Sequence, residues 1–254
     1  VITGQTVIDP QTGALQLQAI GFIEACYKEK FGIPRQPGLV TAARSRLRCL
    51  TEFSNVEAFK GLEQFSHIWL IFGFHANANT AWSNTVRPPR LGGNKRLGVF
   101  ATRSMFRPNP VGLSVAQLLG IEFSEGRACL NLAGTDLLDG TPVYDIKPYL
   151  PYADSLPEAQ GGFANAAPEL MWNVVFSEQA TEQCRDQSAR FNVDIDLLIQ
   201  QILQQDPRPA YRHQQLDNRI YAMKLYDFDV RWHYRASFIE VISLTSLLEP
   251  QTNY

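Results

Sequence analysis

Carboxylates and arginines are the side chains whose types and spacing in this sequence suit chemistry. Asp136-Leu137-Leu138-Asp139-Gly140-Thr141-Pro142 precedes Asp145-Ile146-Lys147-Pro148-Tyr149, which puts three carboxylates within ten positions. Each is a candidate proton acceptor, neighbour to a cation or hydroxyl acceptor. A turn is the plainer reading, because Asp-Gly is a strong turn dipeptide and Asp139 then only satisfies local amides. Upstream, Arg103 and Arg107 sit in a segment where Pro108 and Pro110 flank Asn109. The prolines remove two backbone donors and hold the chain extended, so the segment is a rigid loop presenting fixed cations. Near the other end, Asp206-Pro207-Arg208-Pro209-Ala210-Tyr211-Arg212 combines two cations with a ring. That pairing grips single-stranded RNA loops, although Pro207 also ends a helix regardless of function.

Several chemistries are not signalled. No GxG occurs, so a Rossmann dinucleotide or cofactor fingerprint is missing, and Leu91-Gly92-Gly93-Asn94-Lys95-Arg96 does not match a Walker loop. As a flexible basic loop it would still clamp phosphates through amides and cations. His67 lies inside an apolar run and reads as a core histidine, while His75 ends that run at a plausible site position. His213 and His233 are too dispersed for a metal site, so no metal is expected. Four cysteines, Cys26, Cys49, Cys129 and Cys184, are widely spaced without a CxxC pair, which favours a reducing cytosol over a disulfide framework.

These groups need elements to position them. With 254 residues, 45% hydrophobic and 19% charged, the chain suits one large or two modest domains. No apolar run approaches the roughly 20 residues of a membrane span. The formal net charge is −2, yet residues 1–121 carry 13 Lys/Arg against 6 Asp/Glu and residues 122–254 carry 10 against 19. No acid falls between Glu63 and Glu122, where Arg87, Arg90, Lys95, Arg96, Arg103 and Arg107 lie. Such asymmetry suits a polyanion-binding face.

Period-two or continuous apolar runs at 15–23, 44–50, 67–75, 97–102, 113–123 and 128–133 predict short strands, with a helical turn or two at 56–59. Turn residues between them suggest a closed or nearly closed antiparallel sheet. The stretch 150–168, rich in Pro, Ala, Gly and Asn, reads as a linker. Beyond it a strand at 171–176, a helix opening near Ser177 and a helix from Asp194 to about Gln205 precede two alternating segments, 220–234 and 238–244, read as a hairpin. The expectation is a mainly β, α+β chain. The closed or nearly closed antiparallel sheet is assigned to 15–155, a linker to 156–168 and a small C-terminal α+β domain to 169–250.

The motifs together resemble one family. Ile20-Gly21-Phe22-Ile23, the run Tyr27 to Gly38, Phe65-Ser66-His67, Val86-Arg87-Pro88-Pro89-Arg90-Leu91-Gly92-Gly93, Arg107-Pro108-Asn109-Pro110 and Asp139-Gly140-Thr141-Pro142 through Tyr149 are similar, in order, to the TsaA/TrmO family. Asp206 to Tyr211 is similar to the bacterial members with an extra C-terminal domain. The resemblance implies a single-sheeted antiparallel β-barrel of non-Rossmann type over 15–155, binding S-adenosyl-L-methionine, that methylates N6 of threonylcarbamoyl-modified adenosine beside the anticodon of tRNA-Thr. It also implies a cytoplasmic homodimer, a tRNA anticodon arm as partner and no membrane. Carried over by position, cofactor contacts are Pro34, Arg35, Gln36, His75, Ala76, Arg103, Leu113, Asp136, Leu137, Leu138 and Asp139. Ala76 stands where some relatives have a polar residue.

That substrate nitrogen is urea-like and must lose a proton, for which Asp136, Asp139, Asp145, Asp206 and Tyr211 are candidates that spacing does not separate. Arg103, Arg107 or Arg208 would read the threonyl carboxylate. Substrate contacts are expected from Arg87, Arg90, Lys95, Arg96, Arg107, Asn109, Arg208, Tyr211 and Arg212. The alternatives are a non-catalytic S-adenosylmethionine-binding RNA-binding protein and a methyltransferase of a small molecule. The charge division favours RNA.

Overall fold

The computed structural model describes residues 8–77, 81–209, 212 and 219–247. Six strands close an antiparallel barrel: β1 (Gly21–Ala25), β2 (Arg44–Cys49), β3 (His67–Gly73), β6 (Val111–Ser124), β7 (Arg127–Ala133) and β8 (Pro142–Pro148), in the order β1-β2-β7-β6-β3-β8. A small ribbon, β4 (Thr85–Val86) with β5 (Leu97–Gly98), stands apart from it. The alternation of β2 shows why the sheet curls: Ser45, Leu47 and Cys49 point inward and Arg44, Arg46 and Arg48 face outward. Ile23, Leu47, Ile68, Leu70, Leu130 and Leu132 fill the interior. Strand β6 serves two neighbours, pairing Val111–Gln117 with β3 and Gln117–Ser124 with β7, and a register shift between Leu118 and Gly120 bends it. Closure comes from Gly21 against Val143 and Phe22 against Pro142.

After a short α1 (Pro151–Asp154), the C-terminal part forms a four-stranded sheet in the order β10-β11-β12-β9. Its strands are β9 (Asn173–Phe176), β10 (Ile220–Leu225), β11 (Phe228–Tyr234) and β12 (Phe238–Ser246), and β9 runs parallel to β12. Helices α2 (Glu178–Phe191) and α3 (Ile195–Gln204) pack on it. Each has its N-cap: the Ser177 hydroxyl accepts from the Ala180 amide at 3.1 Å and Asp194 accepts from the Leu197 amide at 3.1 Å. Ile195, Leu198, Ile199, Ile202 and Leu203 give α3 its buried stripe.

The expected elements need four corrections, of which the first is β8 (Pro142–Pro148), a barrel strand that the sequence pattern did not predict because a proline stands at each end. The segment 220–234 is not one strand but the hairpin β10–β11, turning at Tyr226 and Asp227. No glycine marks this turn; Tyr226 adopts a φ of +50° and stacks its ring on Phe191, centroids 4.1 Å apart. The segment 97–102 keeps only Leu97–Gly98 as strand before a 3-10 turn over Val99–Ala101. The first barrel strand starts at Gly21 rather than residue 15.

The two parts share one hydrophobic core and are stitched by polar contacts. The Tyr226 amide donates to the Cys26 carbonyl at 2.8 Å, the Lys224 amide to Glu29 Oε1 at 3.0 Å and the Ala42 amide to Gln201 Oε1 at 2.9 Å. All four cysteines are free and buried.

Candidate active site at the barrel mouth

A cavity of about 1100 Å³ opens where the loops after β1, β3 and β7 meet the arginine-rich loop before β6 and the segment after α3. Each loop is held by local chemistry. After β7, the Asp139 amide donates to the Tyr27 carbonyl at 2.9 Å and the Gly140 amide to the Ile23 carbonyl at 2.8 Å. Asp139 Oδ1 accepts from the Ala25 amide at 2.8 Å, and Oδ2 pairs with Lys28 Nζ at 2.8 Å. After β1, the Gly38 amide donates to the Gly134 carbonyl at 2.8 Å, with Gly38 at φ +77°. Before β6, Arg103 donates to Gln36 Oε1 at 2.6 Å, tying that loop to the first one. Arg107 donates to the Thr102 carbonyl at 2.7 Å and lies over the Phe100 ring. At the start of β6, Gly112 leaves room for Phe72: an added Cβ would lie 2.3 Å from its ring.

Of the expected cofactor contacts, Pro34, Arg35, Gln36, His75, Ala76, Arg103, Leu113, Asp136, Leu137 and Leu138 line this cavity. Asp139 is the departure. Its carboxylate is spent on the Ala25 amide and Lys28, so it holds the loop rather than facing the cavity. Among the candidate proton acceptors, Asp136 is the carboxylate that lines the cavity. Burial pushes its carboxyl above the ordinary carboxylate range, opposed in part by the Ser114 hydroxyl, which donates to Oδ1 at 2.6 Å. Asp145 pairs with Lys147 at 2.9 Å on β8, away from the cavity lining. Asp206 is fully buried and already accepts from Arg208, Trp172 and Tyr234, so it has no capacity for a substrate proton. Tyr211 lies outside the described residues.

Among the expected substrate contacts, Arg87, Arg107 and Arg208 line the cavity. Arg90 donates to the Ala166 carbonyl at 2.5 Å, and Arg96 to Thr85 Oγ1 at 3.0 Å. Both these and exposed Lys95 stand beside the cavity rather than in it. Asn109 is exposed in the proline loop, where its carbonyl accepts from the Val111 amide at 2.7 Å. The Arg212 amide caps Pro209 through a 2.8 Å bond to its carbonyl. Arg208 requires correction as a carboxylate reader, because its guanidinium is buried against Asp206. Arg35 and Arg87 border the cavity with no hydrogen bond to another described residue. Burial holds Arg35 below the ordinary guanidinium range, opposed in part by the charge of Asp206.

The sequence reading missed Lys30, Phe72, Phe74, Thr141, Pro207 and Pro209, all in the lining. Alternation along β3 was the available signal for Phe72, but the proline pair carried none that separates a helix stop from a cavity wall. His75 is held below the ordinary imidazole range by burial and then by Lys30, so it is uncharged at neutral pH.

The lining fits an adenosyl sulfonium cofactor. Phe72, Phe74, Leu113 and Leu137 provide an apolar bed, and Asp136 sets a carboxylate among the lining cations Lys30, Arg35, Arg87, Arg103, Arg107 and Arg208, which suit the cofactor's own carboxylate. Ligand cavities for one drug-sized molecule span roughly 300–1000 Å³, and this one, about 1100 Å³, is large enough for a nucleoside cofactor.

Comparison with known proteins shows the family and the fold. The family model for the tRNA-methyltransferase O N-terminal domain matches residues 22–155, and that for the TrmO C-terminal domain matches 169–247. The chain is 46% identical to the tRNA (adenine(37)-N6)-methyltransferase of Escherichia coli over 91% of this chain and 98% of that protein. It is 37% identical to a "Probable S-adenosyl-L-methionine-binding protein" of Methanothermobacter thermautotrophicus, over 56% of this chain and 95% of that protein. The crystal structure of TrmO from Pseudomonas aeruginosa superposes with a TM-score of 0.76 at 44% identity, covering 91% of this chain and 98% of that one.

Proposed function

The chain belongs to the tRNA-methyltransferase O family and is an S-adenosylmethionine-dependent tRNA (adenine-N6)-methyltransferase; we propose that its substrate is threonylcarbamoyl-modified adenosine beside the anticodon of tRNA-Thr. The observation that carries the proposal is the placement of Asp136, a half-buried carboxylate of raised proton affinity, in the cavity of about 1100 Å³ at the barrel mouth, among Arg35, Arg87, Arg103 and Arg107.

When bound, S-adenosylmethionine supplies an electrophilic methyl group on a sulfonium. The protein's share is positioning and proton removal, since stabilising the positive sulfur in the ground state would slow transfer. Apolar side chains from β3 and β6 exclude water. Asp136 Oδ accepts the N6 proton of the urea-like nitrogen, and its raised affinity brings it closer to the pH of work. Ser114 holds that carboxylate in one orientation. Arg35 and Arg87 supply forks for the anionic groups of the two occupants, a duty reassigned from Arg208. Basic side chains at Arg90, Lys95 and Arg96 extend from the cavity rim and suit the phosphates of the anticodon arm. The reading also takes the enzyme to be a cytoplasmic homodimer, with 156–168 as the linker between its barrel, 15–155, and its C-terminal domain, 169–250. Among the described residues no helix is long and apolar enough to cross a membrane.

The test is transfer of labelled methyl to tRNA isolated with and without the threonylcarbamoyl group. Label entering only modified tRNA is the expected result. Equal labelling of both refutes the modified substrate, and no labelling of either leaves the RNA-binding alternative in its place.

A further inference from the structure

Three aromatic side chains stand in solvent on one small unit of the chain. Phe100 is 74% exposed, Trp82 50% and Phe106 37%. Aromatic rings bring the largest apolar area of any side chain, so three of them left wet in one place mark a surface with an occupant. The backbone draws them together. The Ser83 amide donates to the Phe106 carbonyl at 3.2 Å and the Val99 amide to the Asn84 carbonyl at 3.0 Å, which fixes the Trp82 segment between the other two. The ribbon closes the unit by pairing Thr85 with Gly98 and Val86 with Leu97. Phe100 has the Arg107 guanidinium 5.8 Å from its ring centroid, and none of the three rings stacks on another among the described residues. They stay out of the cavity lining, yet Arg87, Thr102, Met105 and Arg107 of the same unit belong to it. The unit therefore gives side chains to the cavity and keeps wet rings beside it.

The charge around the rings selects the occupant. Arg87, Arg90, Lys95, Arg96, Arg103 and Arg107 lie in the stretch without an acid between Glu63 and Glu122. Four of these cations donate to neutral oxygens: Arg90 to the Ala166 carbonyl, Arg96 to the Thr85 hydroxyl, Arg103 to Gln36 and Arg107 to the Thr102 carbonyl. None of the four spends its charge on a carboxylate. A second copy meeting this face across a two-fold axis would set these cations against themselves. Single-stranded RNA answers both features, with phosphates for the cations and the flat faces of unpaired bases for the rings.

We propose that Trp82, Phe100 and Phe106 form a stacking platform, outside the cavity, for unpaired bases of the anticodon loop that flank the target adenosine. The inference rests on the tRNA-methylating reading above and adds a second grip on the same loop. Its test uses the full chain and a synthetic anticodon stem-loop of tRNA-Thr carrying the modified adenosine, with affinity read by fluorescence anisotropy at several salt concentrations. The variants are Trp82→Leu and Phe100→Leu, which keep apolar bulk without a ring, and Phe100→Tyr, which keeps the ring. Cofactor affinity is read by calorimetry and molecular mass by light scattering. The expected result is a loss of about tenfold or more in RNA affinity for each Leu variant, with Phe100→Tyr within about twofold of wild type. The salt slope keeps its wild-type value, because stacking releases no counterions, and cofactor affinity and mass are unchanged. A stem-loop with abasic sites on both sides of the target binds wild type more weakly by a similar factor and loses little more in Phe100→Leu. Leu variants that bind like wild type overturn the proposal, as does Phe100→Tyr as weak as Phe100→Leu. A parallel fall in cofactor affinity overturns it too, and a changed mass does so by giving the face to a second copy. A wild-type chain that transfers no methyl to tRNA brings down the functional reading and the platform with it, whereas active wild type with unaffected Leu variants removes only the platform.

Discussion

Asp136→Asn lowers methyl transfer by about 10²–10⁴-fold, the usual contribution of a positioned proton acceptor, while the folded protein becomes no less stable. Two features of Asp136 lead to this pairing of effects. Its carboxylate lines the cavity, and amide in its place has the same shape but no basicity. Its folded-state pKa is raised by burial, so between the unfolded and folded values the native state binds the extra proton, and stability falls as pH rises through that window. The ionised form at neutral pH thus costs stability, which Asn does not. The same shift fixes the pH profile. The acid limb of kcat/KM lies above the ordinary carboxylate range, with activity rising as Asp136 deprotonates. Ser114→Ala removes the hydroxyl that favours the ionised form and moves that limb to higher pH. Rate–pH profiles of the three proteins measure this; an unshifted limb in Ser114→Ala assigns the titration to another group.

Asp206→Ala has the largest expected effect on stability, a loss of about 3–5 kcal/mol, because it leaves the Arg208 guanidinium buried without its counter-charge. Trp172 Nε1 and the Tyr234 hydroxyl lose their acceptor in the same step. Denaturant unfolding of wild type and variant gives the difference directly. The pH dependence has the opposite sign to that of Asp136. Burial alone would raise the Asp206 pKa, but hydrogen bonds from Arg208, Trp172 and Tyr234 together hold it below the ordinary carboxylate range. Its contribution is therefore complete above the unfolded value and is lost as pH falls through the depressed folded one. A loss below about 1 kcal/mol, within the range of an exposed pair, contradicts this account of the junction.

Proline and glycine made much of the site legible in the sequence. The prolines around Asn109 and the Asp139-Gly140-Thr141 turn, which runs into β8 at Pro142, mark loops, and loops at the mouth of a closed sheet are where the cavity forms. The barrel strands were legible where alternation was strict, as in 44–50. The barrel strand β8 was obscured by prolines at both its ends, and in the C-terminal sheet the hairpin turn was obscured because an aromatic residue, Tyr226, builds it. Burial is what the sequence did not carry. Asp136, Asp139, Asp145 and Asp206 are the same side chain, and only packing makes one a cavity carboxylate, one a loop brace, one a surface ion pair and one a buried anchor. Arg208 misled for the same reason: a cation between two prolines looks presented, and here its side chain is turned into the core.

The central claim is that the cavity at the barrel mouth is where cofactor and nucleoside meet. Calorimetric titration of S-adenosylmethionine into the wild-type chain and into Leu113→Trp, which fills the cavity from β6, tests it most directly. The account predicts one cofactor per wild-type chain and binding weakened by about tenfold or more in the variant. Absence of binding to folded wild type, or equal affinity in Leu113→Trp, contradicts it.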